Sequence, residues 1–247
     1  HNFGIEAWRI AFILGGMFGI ISYFLRKNLL ETPEFATYKH FLEQQPQAPF
    51  KQILKHFRTP LWQMVAFGSF LASSLAVYTF FMPVFLSSYY HFPLAQILKY
   101  NSYSIIVFII SALLAGKFHY LFGKPFLIVS LIVFNITNFM LFNHYAELTL
   151  QQITFIHYGI LFYIGIICGR LPVLAASFFP TQVRYSGVAL SYNISFGIVA
   201  GLTQLILFSL IKLSSIMWLP AAYIALFSIF ALLFFCKVES SKLIKYS

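Results

Sequence analysis

Apolar residues fall into seven long runs along the chain, separated by shorter polar stretches. Each run is long enough, or nearly so, for an α-helix that crosses a hydrocarbon core about 30 Å thick. Runs of this length favour helices over the strands of a barrel. The pattern therefore predicts seven transmembrane helices, over residues 10–25, 61–86, 100–116, 125–142, 152–177, 187–211 and 217–236.

The connection 26–60 is the only sizeable polar piece between the runs. Within it, the stretch PFKQILKHF places Phe50, Ile53, Leu54 and Phe57 at helical spacing, with basic residues between them. This spacing is typical of an amphipathic helix. We expect the helix to lie in the membrane interface, and binding to a partner is the alternative.

Composition agrees with an all-α integral membrane protein. Hydrophobic residues make up 60% of the chain, the mean hydropathy is +0.82 and 9% of residues are charged, against about 25% in a soluble domain. The net charge is +10, but the aromatic residues lie inside the runs and the basic residues lie mostly between them. This arrangement predicts a lipid bilayer, and no nucleic acid, as partner. Both cysteines lie in apolar runs, so no disulfide framework is predicted.

The basic residues also predict an orientation. Of the sixteen Lys and Arg, only Arg9, Lys99 and Lys212 fall on one side of the membrane, and the other thirteen fall on the opposite side. Cytoplasmic loops carry the excess of Lys and Arg. The bias therefore predicts that this chain starts outside and ends in the cytoplasm.

Two stretches carry the motifs of a transporter family. The first contains Trp8–Arg9 and then Glu-Thr-Pro-x-Phe over 31–35; the second contains Phe-Pro-Thr-x-x-Arg-Tyr-Ser-Gly over 179–187, followed by Tyr192–Asn193. In these motifs the chain resembles the metabolite:proton symporters of the major facilitator superfamily, the group of proline/betaine and dicarboxylate carriers. The resemblance runs in register over essentially the whole chain.

The resemblance implies a partial major facilitator fold, with about seven transmembrane helices. The complete fold has two six-helix bundles and a solute site between them. Residues 1–25 would form the last helix of the N-terminal bundle, 26–60 the cytoplasmic central loop, 61–236 the C-terminal six-helix bundle and 237–247 a cytoplasmic tail. The chain also begins with His1 and not Met. We therefore interpret it as the C-terminal portion of a twelve-helix carrier, with the N-terminal half as its partner.

The resemblance also implies a cytoplasmic gating network around Arg184. Its other members would be Pro180, Thr181, Gly187, Gly116, Gly123, Glu31 and Glu34. The chain departs from the family where Tyr120 and Ser177 stand at the usual Asp and Glu positions. The expected partners of Arg184 are then Glu31 and Glu34, and the alternative is an anchor that only follows the positive-inside rule.

The stretch FFPTQVRYSG predicts a turn between the fifth and sixth runs. Pro180 disfavours helix at the residue before it, and Ser186 is a residue type that caps helices. We expect the next helix to start at Ser186–Gly187.

Groups that can carry protons are scarce. The chain has no Asp, and its six Glu lie outside the runs or at their margins. His157 lies well inside a run and is the candidate for proton coupling, with a hydrogen-bonded packing role as the favoured alternative. The sequence shows no metal cluster, phosphate-binding loop or nucleophile motif, so we predict no enzyme activity, metal or cofactor.

Polar residues on helix faces are the candidates for solute contact. Asn193 and Gln204 share one narrow face of small and polar residues in the sixth run, and Ser74 and Tyr78 share a face in the second. We name Tyr78, Asn193, Gln204 and Ser74 as candidate solute-binding residues, with interhelical packing as the alternative.

Three further features have structural interpretations. Asn135 and Asn138 share a face of the fourth run and are interpreted as packing residues. Gly165 and Gly169 make a small face that permits bending or close packing. Arg170, near the predicted cytoplasmic end of its run, is expected to snorkel to the interface.

These observations favour part of a secondary transporter in the inner (plasma) membrane. It would move a small organic solute, of proline/betaine or organic-acid type, by proton-coupled symport and alternating access. A non-functional remnant of a disrupted gene is one alternative, favoured by Tyr120 and Ser177. A seven-helix receptor is the other, but the chain lacks Asp-Arg-Tyr, Asn-Pro-x-x-Tyr and a pair of extracellular cysteines.

The predicted orientation can be tested by labelling introduced cysteines with an impermeant thiol reagent. We expect a cysteine at Gln45 to react only from the cytoplasm and one at Glu147 only from outside, because the charge bias places them on opposite faces. The reverse pattern would overturn the topology.

Overall fold

Each of the seven predicted runs forms helix in the computed structural model of the chain, which describes residues 7–27, 49–118 and 124–236. The chain divides into two units, His1–Gln47 and Ala48–Ser247. The described part of the first unit is a single helix, α1 (Ala7–Lys27).

The second unit is built from helices, and no strand occurs in its described part. In chain order the helices are α2 (Pro49–His56), α3 (Arg58–Leu75), α4 (Met82–Tyr90), α5 (Leu94–Lys117), α6 (Lys124–His144), α7 (Leu150–Gly169), α8 (Leu171–Phe178), α9 (Thr181–Tyr192), α10 (Gly201–Ser214) and α11 (Leu219–Cys236). The π-helical segment Ala76–Phe81 joins α3 to α4, and a second one, Asn193–Ala200, joins α9 to α10.

Several helices are long and apolar enough to cross a membrane. Among the described residues there are five such spans: Arg58–Tyr90, Leu94–Lys117, Pro125–Glu147, Leu150–Ala175 and Val183–Ser214. The apolar stretch Leu219–Phe234 is shorter. The expectation of an all-α, multi-pass membrane protein is confirmed.

The span Arg58–Tyr90, called the central helix below, lies in the middle of the second unit. Between Met64 and Ser74 every side chain is buried. It carries no charged residue after Arg58, so each of its faces can pack against another helix without burying a charge. It contacts α5, α7, α8 and α11, and also α9, α10 and the π-helical segment between these two. Phe70 meets Phe134 of α6 edge-on, with ring centroids 5.7 Å apart.

The π-helical segment of the central helix ends two residues before Pro83. Proline has no N–H to donate, so the carbonyl of Thr79, four residues earlier, loses its usual helical partner. Asn101 of α5 supplies the missing donor, with its Nδ2 3.0 Å from the Thr79 oxygen. The irregular turn is therefore held by a side chain of the neighbouring helix.

The expected amphipathic helix is α2. Ile53 is fully buried, whereas Leu54 is 40% exposed and Lys51 and Lys55 are exposed. The helix packs on α3 and α9, so the Ile53 side of its apolar face is buried by the bundle. Placement of its other side chains in the membrane interface stays a prediction.

Close packing between α5 and α7 depends on two glycines. A Cβ at Gly165 would overlap Ser111 Oγ and lie 2.6 Å from the Phe108 carbonyl oxygen, and one at Gly169 would overlap the Ala112 carbonyl oxygen. Small residues allow helix backbones to approach in a membrane, where van der Waals contact drives association. The predicted small face therefore serves close packing.

We expect Gly165→Val to lower stability by about 1–3 kcal/mol, because the added methyl groups must separate α5 from α7. The matched control is Gly159→Val on the same helix, since no atom lies within 4 Å of the Cβ position there. Thermal unfolding of the purified chain in detergent measures the difference. Equal melting temperatures for the two variants would contradict the close contact.

Candidate functional site

A buried polar cluster lies where the central helix meets α6 and α7. Tyr78 is fully buried in the π-helical segment, and its hydroxyl donates a hydrogen bond to Asn138 Oδ1. Asn138 Nδ2 donates to the Phe134 carbonyl at 2.8 Å. Both ends of this amide are therefore satisfied, as a buried amide in a membrane requires.

His157 of α7 completes this cluster. Its ring meets the Tyr78 ring edge-on, with centroids 5.2 Å apart and an interplanar angle of 75°. His157 is 6% exposed, and its Nε2 has no hydrogen-bond partner among the described residues. A buried imidazole nitrogen without a partner can accept or donate a proton when a polar ligand arrives.

Small polar side chains border a small cavity beside His157. The cavity is lined by the apolar residues Leu86, Ile97, Leu150 and Ile153 and by Tyr100, Asn101, Ser104, Thr154 and His157. Ser74, one turn before Tyr78, is fully buried, and its Oγ has no partner in the part of the chain that the structure describes. The two candidates of the central helix thus lie inside the bundle.

The other two solute candidates lie elsewhere. Asn193 and Gly197, in the π-helical segment between α9 and α10, are exposed, and so is Gln204 of α10. Asn193 Nδ2 donates to the Ala189 carbonyl of its own helix at 2.8 Å. The narrow face that the spacing predicts exists, but it is separate from the buried cluster. The four candidates therefore do not form one site in this structure.

The turn before α9 differs from the prediction. The helix begins at Thr181, directly after the extended residue Pro180, and Ser186 lies inside it without capping it. Proline fixes its own φ and suits the position before a helix, so the helix starts five residues earlier than expected. Gly187 has a packing role, because a Cβ there would lie 2.6 Å from the Phe179 ring.

Arg184 lines a cleft between α8 and α9. Its Nε donates to the Phe179 carbonyl at 3.1 Å. The cleft has a volume of about 430 Å³ and is lined by Pro172, Ala175, Arg184, Val188, Ala189 and Tyr192. Glu31, Glu34, Gly123 and Tyr120 lie outside the described residues, so the expected partners of Arg184 remain a prediction.

Gly116 and Ser177, the remaining positions of the predicted gating network, make local contacts. The position of a Gly116 Cβ lies 3.6 Å from the Gly169 carbonyl oxygen, an ordinary contact distance. Ser177 Oγ donates to the Leu174 carbonyl at 2.8 Å. Neither residue pairs with Arg184.

The expectation that Arg170 snorkels is wrong. Its side chain is only 8% exposed, and its Nε and Nη1 have no hydrogen-bond partner within the described ranges. Arg170 sits at the break between α7 and α8. The break places the residue inside the helix packing, which keeps its side chain from reaching the surface.

Comparison with known proteins shows which transporters the chain resembles. The glycine betaine/proline/ectoine/pipecolic acid transporter OusA of Dickeya dadantii is 29% identical, over 96% of this chain and 50% of that protein. The proline/betaine transporter of Escherichia coli K12 is 30% identical, over 94% of this chain and 48% of its own length. The ectoine/proline transporter of Corynebacterium glutamicum is 27% identical, over 94% of this chain and 49% of its own length. Over almost its whole length the chain is similar to proline/betaine transporters, which supports a proline/betaine transporter-like family.

This transporter-like chain spans about half the length of the curated relatives it matches, which fits the C-terminal portion that the motifs predict. No protein-family model matches it, and no solved structure matches it. Its homologues are transporters, which is consistent with the prediction of no enzyme activity. In the described ranges, no three His, Cys, Asp or Glu residues are grouped to hold a metal ion.

Sequence reasoning missed several polar residues of this transporter-like bundle. Asn101 and Ser104, three residues apart, face the cavity beside His157, and Thr154 joins them from α7. Spacing of three residues places side chains on one helix face, so this pair could have been noticed. Ser195 was not noticed either; its Oγ donates to the Val65 carbonyl at 3.1 Å.

The Tyr78–Asn138 hydrogen bond can be measured with a double-mutant cycle. We expect Tyr78→Phe and Asn138→Leu each to destabilise the chain, and the cycle to give a coupling energy of about 0.6–1.7 kcal/mol, the range measured for interhelical hydrogen bonds in membranes. Tyr103→Phe is the control, because that side chain is 48% exposed. Additive effects in thermal unfolding would show that the two residues do not interact.

Proposed function

We propose that the chain forms the C-terminal portion of a secondary carrier that moves small zwitterionic solutes by alternating access. Its domains would be the last N-terminal-bundle helix at 1–25, the central loop at 26–60, the six-helix bundle at 61–236 and the tail at 237–247. The carrier would lie in the plasma membrane and need an N-terminal half. The alignment over about 95% of the chain with carriers of betaine, proline and ectoine supports this proposal.

The observation that carries the proposal is the buried polar cluster of Tyr78, Asn138 and His157. Polar side chains inside a membrane are costly and mark solute or proton pathways. Tyr78 sits on the central helix, the most buried span of the bundle, and Asn138 of α6 and His157 of α7 meet it beside a cavity with further hydroxyl and amide groups. Helices that only had to pack would not need polar atoms such as Ser74 Oγ and His157 Nε2, which have no hydrogen-bond partner among the described residues.

Proton coupling in this proposal involves His157. It is buried, one of its ring nitrogens has no partner in the described part of the chain, and its ring touches Tyr78. The acidic residues of this chain offer little help: Glu147 is the only one in the described ranges, and it lies at a helix end. A carboxylate of the other half would supply the rest of the relay.

Gating in the proposed carrier would involve the turn around Arg184, together with Glu31 and Glu34 of the central loop. These carboxylates and the guanidinium are on the same face in the predicted topology. Exposed ion pairs contribute only about 0–1 kcal/mol, but a conformational equilibrium shifts tenfold for about 1.4 kcal/mol. The pair would therefore affect the conformational balance more than folding.

Uptake by proteoliposomes tests the proposed function. We expect the carrier completed with its five preceding helices to take up labelled glycine betaine or proline saturably, faster with an inward proton gradient. We expect the 247-residue chain alone to take up neither, because rocking needs both bundles around the solute.

In the completed carrier, His157→Gln should abolish the effect of the proton gradient and leave exchange of solute across the membrane in place. A completed carrier that transports neither solute would contradict the proposed function. Uptake by the 247-residue chain alone would contradict the need for a second bundle. Gradient-dependent uptake in His157→Gln would place the coupling group elsewhere.

A further inference from the structure

We propose that the cleft between α8 and α9 is a binding site for a zwitterionic solute, with Arg184 pairing the solute's carboxylate and the Tyr192 ring contacting its ammonium group. This inference rests on the proposed function and adds a location and a recognition chemistry to it. The site is distinct from the buried cluster around Tyr78, and Asn193 and Gln204 do not line it.

The cleft combines apolar walls with one charged group. Pro172, Ala175, Val188 and Ala189 form its walls, and among the described lining residues Arg184 is the only charged one. Its volume of about 430 Å³ lies within the range of about 300–1,000 Å³ that is usual for small-molecule sites. Such a cleft can hold a compact solute whose methyl or ring carbons contact the walls.

Arg184 is held in place but keeps hydrogen-bonding capacity for a ligand. Its Nε donates to the Phe179 carbonyl at 3.1 Å. This hydrogen bond orients the guanidinium plane, and the two terminal nitrogens remain for a ligand. A guanidinium offers two parallel donors to a carboxylate. Glu147, the only acidic residue in the described ranges, follows α6 and does not line the cleft. Glu31 and Glu34, the proposed gating partners of Arg184, are the carboxylates with which the solute would compete.

Tyr192 supplies the second recognition element. Its ring is stacked on Phe196, with centroids 5.2 Å apart and an interplanar angle of 16°, and it borders the cleft. Stacking holds the ring and covers one face with an aromatic group. An aromatic ring attracts a quaternary or protonated amine within about 6 Å of its centroid.

Arg184 and Tyr192 lie on one helix and line the same cleft. A zwitterion offers a carboxylate to the guanidinium and a cation to the ring at once. A simple cation would be repelled by Arg184, and a simple anion would gain nothing from the ring.

Equilibrium binding to the purified 247-residue chain in lipid nanodiscs tests the site without requiring transport. Three probes separate the contribution of the carboxylate from that of the ammonium group. Glycine betaine carries both groups, choline lacks the carboxylate, and 3,3-dimethylbutanoate lacks the positive charge. We expect glycine betaine to bind at least about tenfold more tightly than either analogue, because only it engages both groups.

Substitutions then assign each preference to its residue. Arg184→Gln should weaken glycine betaine binding roughly 10- to 100-fold and remove the preference over choline. Tyr192→Leu should weaken it about 3- to 30-fold and remove the preference over dimethylbutanoate, whereas Tyr192→Phe should keep it. Tyr185→Leu and Arg58→Gln are the controls, since Tyr185 is 87% exposed and neither residue lines the cleft.

The outcomes separate this site from the proposed function. Betaine binding that ignores Arg184 and Tyr192 would overturn the site and leave the solute class standing. No binding to a correctly folded chain would also overturn the site, while uptake by the completed carrier would still decide the function. If Arg184→Gln changed only the anionic lipid that co-purifies, the guanidinium would serve a lipid phosphate and the proposal would fail.

Discussion

The bundle depends on one helix being surrounded by protein on nearly every side. The central helix carries an apolar or small polar residue at each buried position, so five neighbouring spans can pack against it at once. In lipid there is no hydrophobic gain from such packing, because lipid tails are as apolar as leucine. Shape and interhelical hydrogen bonds must therefore hold the bundle together.

Those hydrogen bonds connect neighbouring helices at separate points. Tyr78 binds Asn138 of α6, Ser195 binds the Val65 carbonyl, and Asn135 of α6 donates to Ser228 of α11 at 2.5 Å. Asn135 and Asn138 of α6 thus serve two different partners, in agreement with a packing role. Polar groups on this bundle's inner surface both fix the helix positions and supply the chemistry of the proposed pathway.

The sequence was sufficient to predict the helices but not their irregular turns. Each predicted run forms helix, and among the described residues five spans are long and apolar enough to cross a membrane. The start of α9 was placed too late, because the helix-starting effect of Pro180 outweighs a capping serine. In the π-helical turn at Ala76–Phe81, Asn101 of another helix donates to the Thr79 carbonyl, and no local pattern contains that information.

The candidate site was predicted only in part for the same reason. Tyr78, Ser74 and His157 could be named because polar residues in apolar runs are conspicuous. The contact between Tyr78 and His157 could not be predicted, because the two lie on helices far apart in the chain. The burial of Arg170 follows from the break between α7 and α8, which the spacing of residues does not reveal.

The position of the central helix also sets an order of events during synthesis. This helix is the first of the bundle to leave the ribosome, yet α11, the last, packs along it. At about 5–20 residues per second, translation from the end of the central helix to the end of α11 takes roughly 7 to 30 seconds. Until then, the side of the central helix that α11 covers faces lipid or the insertion machinery, although Tyr78 meets Asn138 and His157 earlier. A ribosome that stalls before α11 therefore leaves a membrane-inserted chain with one side of its central helix uncovered, and such a chain would be a substrate for membrane quality-control proteases.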